Sequence, residues 1–261
     1  MPLMTTTGAG EAHRPAAIRR VTLDHPWQWL AAGWADMAAV PGISFLYGGV
    51  FAAIGFALLF WLGHYDMEYL ILPLGFGFAL VGPVAAVGMY ESSRRLAAGE
   101  TPGIAGLLAA FGRNGAQIAL VGAFLLIAFI AWVRMAMLVF MLFYGAAPPS
   151  LDHLVGALFL SDVSLPFLAV GMATGAVLAA CVFAMTAVAV PMLIDRPDTD
   201  AMTAMLTSVA AVQRNWRPLM LWAGLIASLT LAGLALFFVG LMVTLPLIGH
   251  ASWHAYRDLV E

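Results

Sequence analysis

No lysine occurs in the 261 residues, so all eleven basic side chains are arginine. That absence removes the commonest Schiff-base nucleophile and the lysine on which a phosphate-binding loop depends. A single cysteine, Cys181, excludes an internal disulfide and a multi-cysteine metal site, and its place inside an apolar run reads as packing. Charge is scarce too: 10% of residues are charged and the net is −3, which excludes a nucleic-acid-binding surface. Catalytic patterns are missing as well. The sequence has no GxSxG elbow, no HExxH pair, no CxxCH haem-attachment motif and no paired carboxylates within an apolar run. Nothing indicates an enzyme or a cofactor.

Apolar surface is what the chain has in excess. Hydrophobic residues make up 63% and mean hydropathy is +0.95, more than a soluble domain of this length can bury. Runs long enough to cross about 30 Å of hydrocarbon occur at 43–62, 69–90, 115–144, 166–192 and 218–249. The fold class expected is all-α, a polytopic transmembrane helix bundle. Residues 1–25 hold no apolar run of signal-peptide length and read as a disordered cytoplasmic tail, leaving 26–261 as a single transmembrane helical domain.

The last run sets the number of spans. Pro218 to Asp258 as one straight helix would be roughly 60 Å long, twice the hydrocarbon thickness. A hairpin near Val239 and Gly240 resolves this into helices 218–238 and 241–257, six spans in all. Five spans with one long final helix, its end outside, is the alternative. Arginine favours six, because cytoplasmic loops retain positive charge. Arg14, Arg19, Arg20, Arg94, Arg95, Arg113, Arg196, Arg214, Arg217 and Arg257 then fall inside, while loops 63–68 and 145–165 carry only the acids Asp66, Glu68, Asp152 and Asp162. Both termini are expected on the cytoplasmic side of a bacterial inner membrane.

A repeated device precedes the odd-numbered spans. Trp27, Leu30, Trp34 and Met37 recur at helical spacing, as do Ile104, Leu107, Leu108 and Phe111, and again Met202, Met205, Leu206, Val209 and Val212. Each set predicts a short amphipathic helix lying in the membrane interface. The chain thus parses into three units, 26–96, 101–196 and 199–259, each an interfacial helix followed by a helical hairpin. PVAAVGMYESSRRL and PLIGHASWHAYRDL, which close the first and third units, align Arg94 with Arg257 and Tyr90 with Trp253.

Candidate functional residues are few. His250 and His254 lie four apart, on one helix face, with Arg257 a turn further, a spacing compatible with a ligand such as a metal, haem or quinone. Two imidazoles alone are a weak metal site, and the bland reading has both hydrogen-bonding at the inner interface. Arg134, outside every cytoplasmic segment, either snorkels to the outer boundary or marks a functional position. Arg94 and Arg95, with Trp27 and Trp34, suit lipid headgroups and the interface, and Glu91 is placed to pair with Arg95. Gly171, Gly175 and Ala179 form a small-residue stripe for helix packing.

The blocks GFALVGPVAAVGMYESSRRLAAGE, WVRMAMLVFMLF, PMLIDRPDTDAMTAMLTSVAAVQRN and PLIGHASWHAYRDLV, in this order, resemble the bacterial integral-membrane family catalogued as domain of unknown function 2189, over roughly residues 27–260. The resemblance implies no activity or ligand. Some members are labelled cytochrome c oxidase subunits, which implies a respiratory context and larger membrane redox subunits as partners, alongside membrane lipids. Three function classes follow: a non-catalytic accessory subunit or assembly factor; a small-solute or lipid transporter, motivated by the hairpin units and span prolines; and a haem- or quinone-binding protein through His250 and His254.

Overall fold

Pro26 and Pro41 stand in the first turns of helices α1 (His25–Ala39) and α2 (Pro41–His64), where a missing N–H costs no intrahelical bond. Val40 alone separates the two. In the computed structural model, which describes residues 16–145, 156, 161–236 and 238–261, the chain continues as α3 (Ile71–Ala85), α4 (Val87–Ala97), α5 (Ile104–Arg113), α6 (Gly115–Tyr144), α7 (Ser164–Thr186), α8 (Ala189–Asp195), α9 (Ala201–Arg214), α10 (Trp216–Ala235) and α11 (Leu241–Leu259). The described residues form no extended strand; Ile18 and Val260 make an isolated antiparallel bridge. The fold is all-helical, as the apolar runs require.

Among the described residues five helical segments are long and apolar enough to cross a membrane: Pro41–His64, Pro73–Ala97, Gly115–Tyr144, Ser164–Asp195 and Trp216–Ala235. Two of them bend where the ladder is interrupted. Pro83 removes an N–H near the end of α3, and Ala86 separates it from α4; Ala187 and Val188 separate α7 from α8. In the most apolar stretches of α2, α6 and α10 only 22%, 17% and 28% is buried, so most of their surface faces outward and is suited to lipid.

Leu241–Leu259 is not among these five candidates, so the sixth span finds no support by length and composition among the described residues. The final run is nevertheless a hairpin, not one long helix, and the hairpin is short. Its turn carries Phe238 at φ 63°, a left-handed conformation that strains a non-glycine residue, and the ring is lodged against Gly55 of α2. Gly55 lies nine residues before the end of α2 at His64, roughly 13 Å of helix. The turn therefore stops well short of the far end of α2.

α11 then runs back into the best-packed part of the molecule. Its backbone is approached from three sides at glycines: a Cβ on Gly33 of α1 would fall 2.6 Å from Ala251 N, one on Gly48 of α2 would fall 2.6 Å from Met242 Cα, and one on Gly249 would fall 2.6 Å from Met89 Cβ of α4. Val87–Ser93, Ala189–Ile194 and most of Gly249–Tyr256 are buried together at this end. Large side chains such as Trp29, Trp222, Trp253 and Tyr256 fill the space between them.

The short helices α1, α5 and α9 occur where the sequence spacing places them. Their apolar residues divide between an inward and an outward face. In α1 the inward residues are Trp29, Gly33 and Met37, whereas Trp27 and Trp34 are exposed. In α9 the inward face is Ala201, Ala204, Thr207, Ser208 and Ala211, and Met202 and Leu206 point out. In α9 small residues meet the protein and permit close approach, whereas α1 turns Trp29 and Met37 inward beside Gly33. Of the segment expected to be a disordered tail, residues 1–15 lie outside the described residues. Residues 17–19 run beside the last residues of the chain, with Arg19 N donating to Leu259 O and Glu261 N to Ala17 O. Both ends of the described chain therefore sit at the same end of the bundle.

Candidate functional site

α11 stacks His250 and His254 one turn apart, and three other helices bring polar side chains to them. His250 is fully buried. Its Nε2 lies 3.1 Å from Ser44 Oγ on α2 and its Nδ1 2.7 Å from Ser93 Oγ on α4. Ser93 Oγ donates to Asp36 Oδ2 of α1 at 2.6 Å, and His254 Nε2 meets the same oxygen at 2.8 Å. The protons follow from this list. Ser93 has one proton, directed to Asp36, so His250 Nδ1–H donates to Ser93; a neutral imidazole then accepts from the Ser44 hydroxyl at Nε2. The result is one directional chain, Ser44 to His250 to Ser93 to Asp36, with His254 donating to the carboxylate from the other side.

Burial and pairing set the charge states. Burial drives the His250 imidazole down to about 4, more strongly than the Asp36 carboxylate raises it, so it is neutral near pH 7. For Asp36 burial opposes ionisation, but hydrogen bonds from His254 and Ser93 outweigh it and hold the carboxyl below its usual range. His254 is the partly exposed end of the cluster, with 29% of its side chain accessible.

A second polar layer closes this end. Glu91, fully buried, takes both Arg94 (2.7 and 2.9 Å) and Arg95 (2.7 Å). Arg257 reaches Asp195 at 3.0 Å, not the imidazoles, and Asp195 also accepts from Tyr256 Oη at 2.7 Å. Burial and that carboxylate together push the Tyr256 phenol up, keeping it protonated. Trp29 Nε1 donates to Asp258 Oδ2 at 2.7 Å.

The remaining sequence candidates are scattered. Arg134 is exposed on α6, nineteen residues after its start, about 28 Å along the helix. Of the small-residue stripe only Gly175 is in close packing, against the Trp132 ring; Gly171 faces open space and Ala179 is exposed. Among the described residues no group of three or more His, Cys, Asp or Glu side chains is arranged to hold a metal ion. Asp36, Ser93 and Asp195 are the functional-looking residues that sequence spacing missed. Asp36 and Asp195 stood out as single acids in mostly apolar helices, whereas Ser93 lay among Glu91, Ser92, Arg94 and Arg95, and none of the three reveals its partner.

Helices with outward apolar faces and a polar core confined to one end define an integral membrane protein. Residues 71–195 match the model of the family described as "predicted integral membrane protein" and catalogued as domain of unknown function 2189. No curated protein and no solved structure matches the chain.

Proposed function

We propose that the protein is a non-catalytic accessory subunit or assembly factor of a larger complex in the bacterial inner membrane. The supporting observation is a contrast between its two ends. At the packed end the ionisable groups are satisfied within the protein, His250 by Ser44 and Ser93, Asp36 by Ser93 and His254, and Glu91 by Arg94 and Arg95, so both ring nitrogens of His250 are occupied. At the other end one face of α2 turns outward, with Ile54, Phe60 and Trp61 57%, 78% and 58% exposed, although Leu62 is buried. That outward apolar face suits packing against a partner's transmembrane helix. With the packed end cytoplasmic, Arg19, Arg20, Arg94, Arg95, Arg113, Arg196, Arg214, Arg217 and Arg257 stand on the side that retains positive charge.

A respiratory oxidase is the complex to test first, on the strength of the family label noted above. The test is affinity purification in mild detergent at native expression, with mass spectrometry of what co-purifies and a photo-crosslinking residue at Phe60. The proposal expects larger membrane subunits crosslinked at that position. A chain that runs alone and crosslinks only to lipid overturns it.

A further inference from the structure

Three arginines from three separate segments meet at the start of α10 with no acid among them. Asn215, the residue before that helix, ordinarily would cap its free N–H groups. Instead its side chain is committed elsewhere: Nδ2 donates to Arg19 O at 2.8 Å and Oδ1 accepts from Val21 N at 2.9 Å. This ties residues 19–21 across the end of α9 and places Arg20 beside Arg214 and Arg217 around a cleft of about 200 Å³. Among the described residues no carboxylate pairs with any of these three guanidinium groups, whereas Arg19, Arg94, Arg95 and Arg257 are each paired with one. The first N–H groups of the 20-residue helix α10 have no side-chain cap, so its positive end faces the same region.

Concentrating like charges in this way is unfavourable unless an anion neutralises them. The surroundings indicate which kind. Trp216 is 58% exposed, carries the Arg217 guanidinium over its ring at 5.2 Å, and is followed one turn later by exposed Met220. An indole at the edge of an apolar helix marks the headgroup level of a bilayer. Arg94 and Arg95, the sequence candidates for headgroups, both face the buried Glu91 and are less available.

We infer that Arg20, Arg214 and Arg217, with the N-terminus of α10, form a binding site for a phosphate group, presented by an anionic phospholipid whose acyl chains lie along Trp216 and Met220. Guanidinium forks match phosphate oxygens bidentately, and the uncapped helix end adds backbone donors.

The test uses the full chain in zwitterionic detergent, titrated with short-chain phosphatidylglycerol carrying brominated acyl chains, which quench nearby tryptophan. Saturable quenching is expected, weakened about a hundredfold by the triple variant Arg20→Gln, Arg214→Gln, Arg217→Gln. Most of the quenching amplitude is expected to disappear in Trp216→Phe. Arg113→Gln, a basic residue at the end of α5, serves as the control and leaves binding unchanged. The triple Arg→Lys variant keeps the charge and is expected to recover part of the affinity, which separates loss of the site from loss of the fold. Competition by inorganic phosphate at equal affinity would keep the phosphate site but name free phosphate, not lipid, as its source. Equal quenching by phosphatidylcholine, or equal affinity in the triple glutamine variant, overturns the inference.

Discussion

Asp36 and His254 meet at 2.8 Å across 218 positions of sequence, joining α1 to α11. The same carboxylate oxygen holds Ser93 and, through it, His250. Asp36→Ala removes the acceptor for two donors at once and is expected to lower stability by about 3 kcal/mol in a detergent unfolding assay. In a double-mutant cycle with His254→Ala the coupling should reach about 1 kcal/mol. Additivity of the two changes would show that the contact contributes nothing.

Acid should loosen this end of the molecule. His250 titrates at about 4 when folded against 6.5 as a free imidazole, so between those values the unfolded chain binds more protons and stability falls as pH falls. Asp36, held below its usual range, adds a further loss at still lower pH. Above about pH 6.5 His250 contributes no pH dependence. His250→Asn is expected to flatten the profile between pH 6.5 and 4, read as unfolding midpoint against pH.

Glu91 is fully buried between two arginines that are only partly so. Glu91→Gln leaves both guanidinium groups facing a neutral side chain and should cost about 3 kcal/mol or more. Changing Glu100, whose contact with Arg95 is 3.8 Å and more than half exposed, should change little. Equal effects for the two would mean the buried pair is not special.

Two glycine substitutions separate helix contact from stripe. Gly33→Leu drives a side chain into the Ala251 backbone and is expected to cost at least about 2 kcal/mol or abolish folding. A Cβ at Gly171 meets nothing within 4 Å, so Gly171→Leu should be tolerated. Thermal stability of the two variants, measured side by side in one detergent, decides the point.

Hydropathy made the helices legible because lipid demands long apolar runs, and the turn near Val239 followed from the excessive length of the last one. The depth of that turn was not legible. It depends on Phe238 resting against Gly55, a contact between segments that no periodicity reveals. The division of the α1 face was not legible for a related reason: helical spacing groups the apolar residues but does not say that Trp29 and Met37 pack inward while Trp27 and Trp34 turn outward. The imidazole pair was visible as a spacing of four. Asp36, on a helix more than 200 residues away, was not, since one sequence carries no record of which distant acid a histidine meets.

The account rests on a final hairpin whose turn stops short of the far end of α2, and cysteine accessibility tests this most directly. In a Cys181→Ala background, Gly63→Cys, Val239→Cys and Glu261→Cys are labelled separately with a membrane-impermeant maleimide, from the outside of intact cells and then in inverted vesicles. The account predicts that position 63 reacts from one side, position 261 only from the opposite side, and position 239 from neither. Reaction of position 239 from the same side as position 63, at a comparable rate, would contradict it by showing that the last helix crosses the whole membrane.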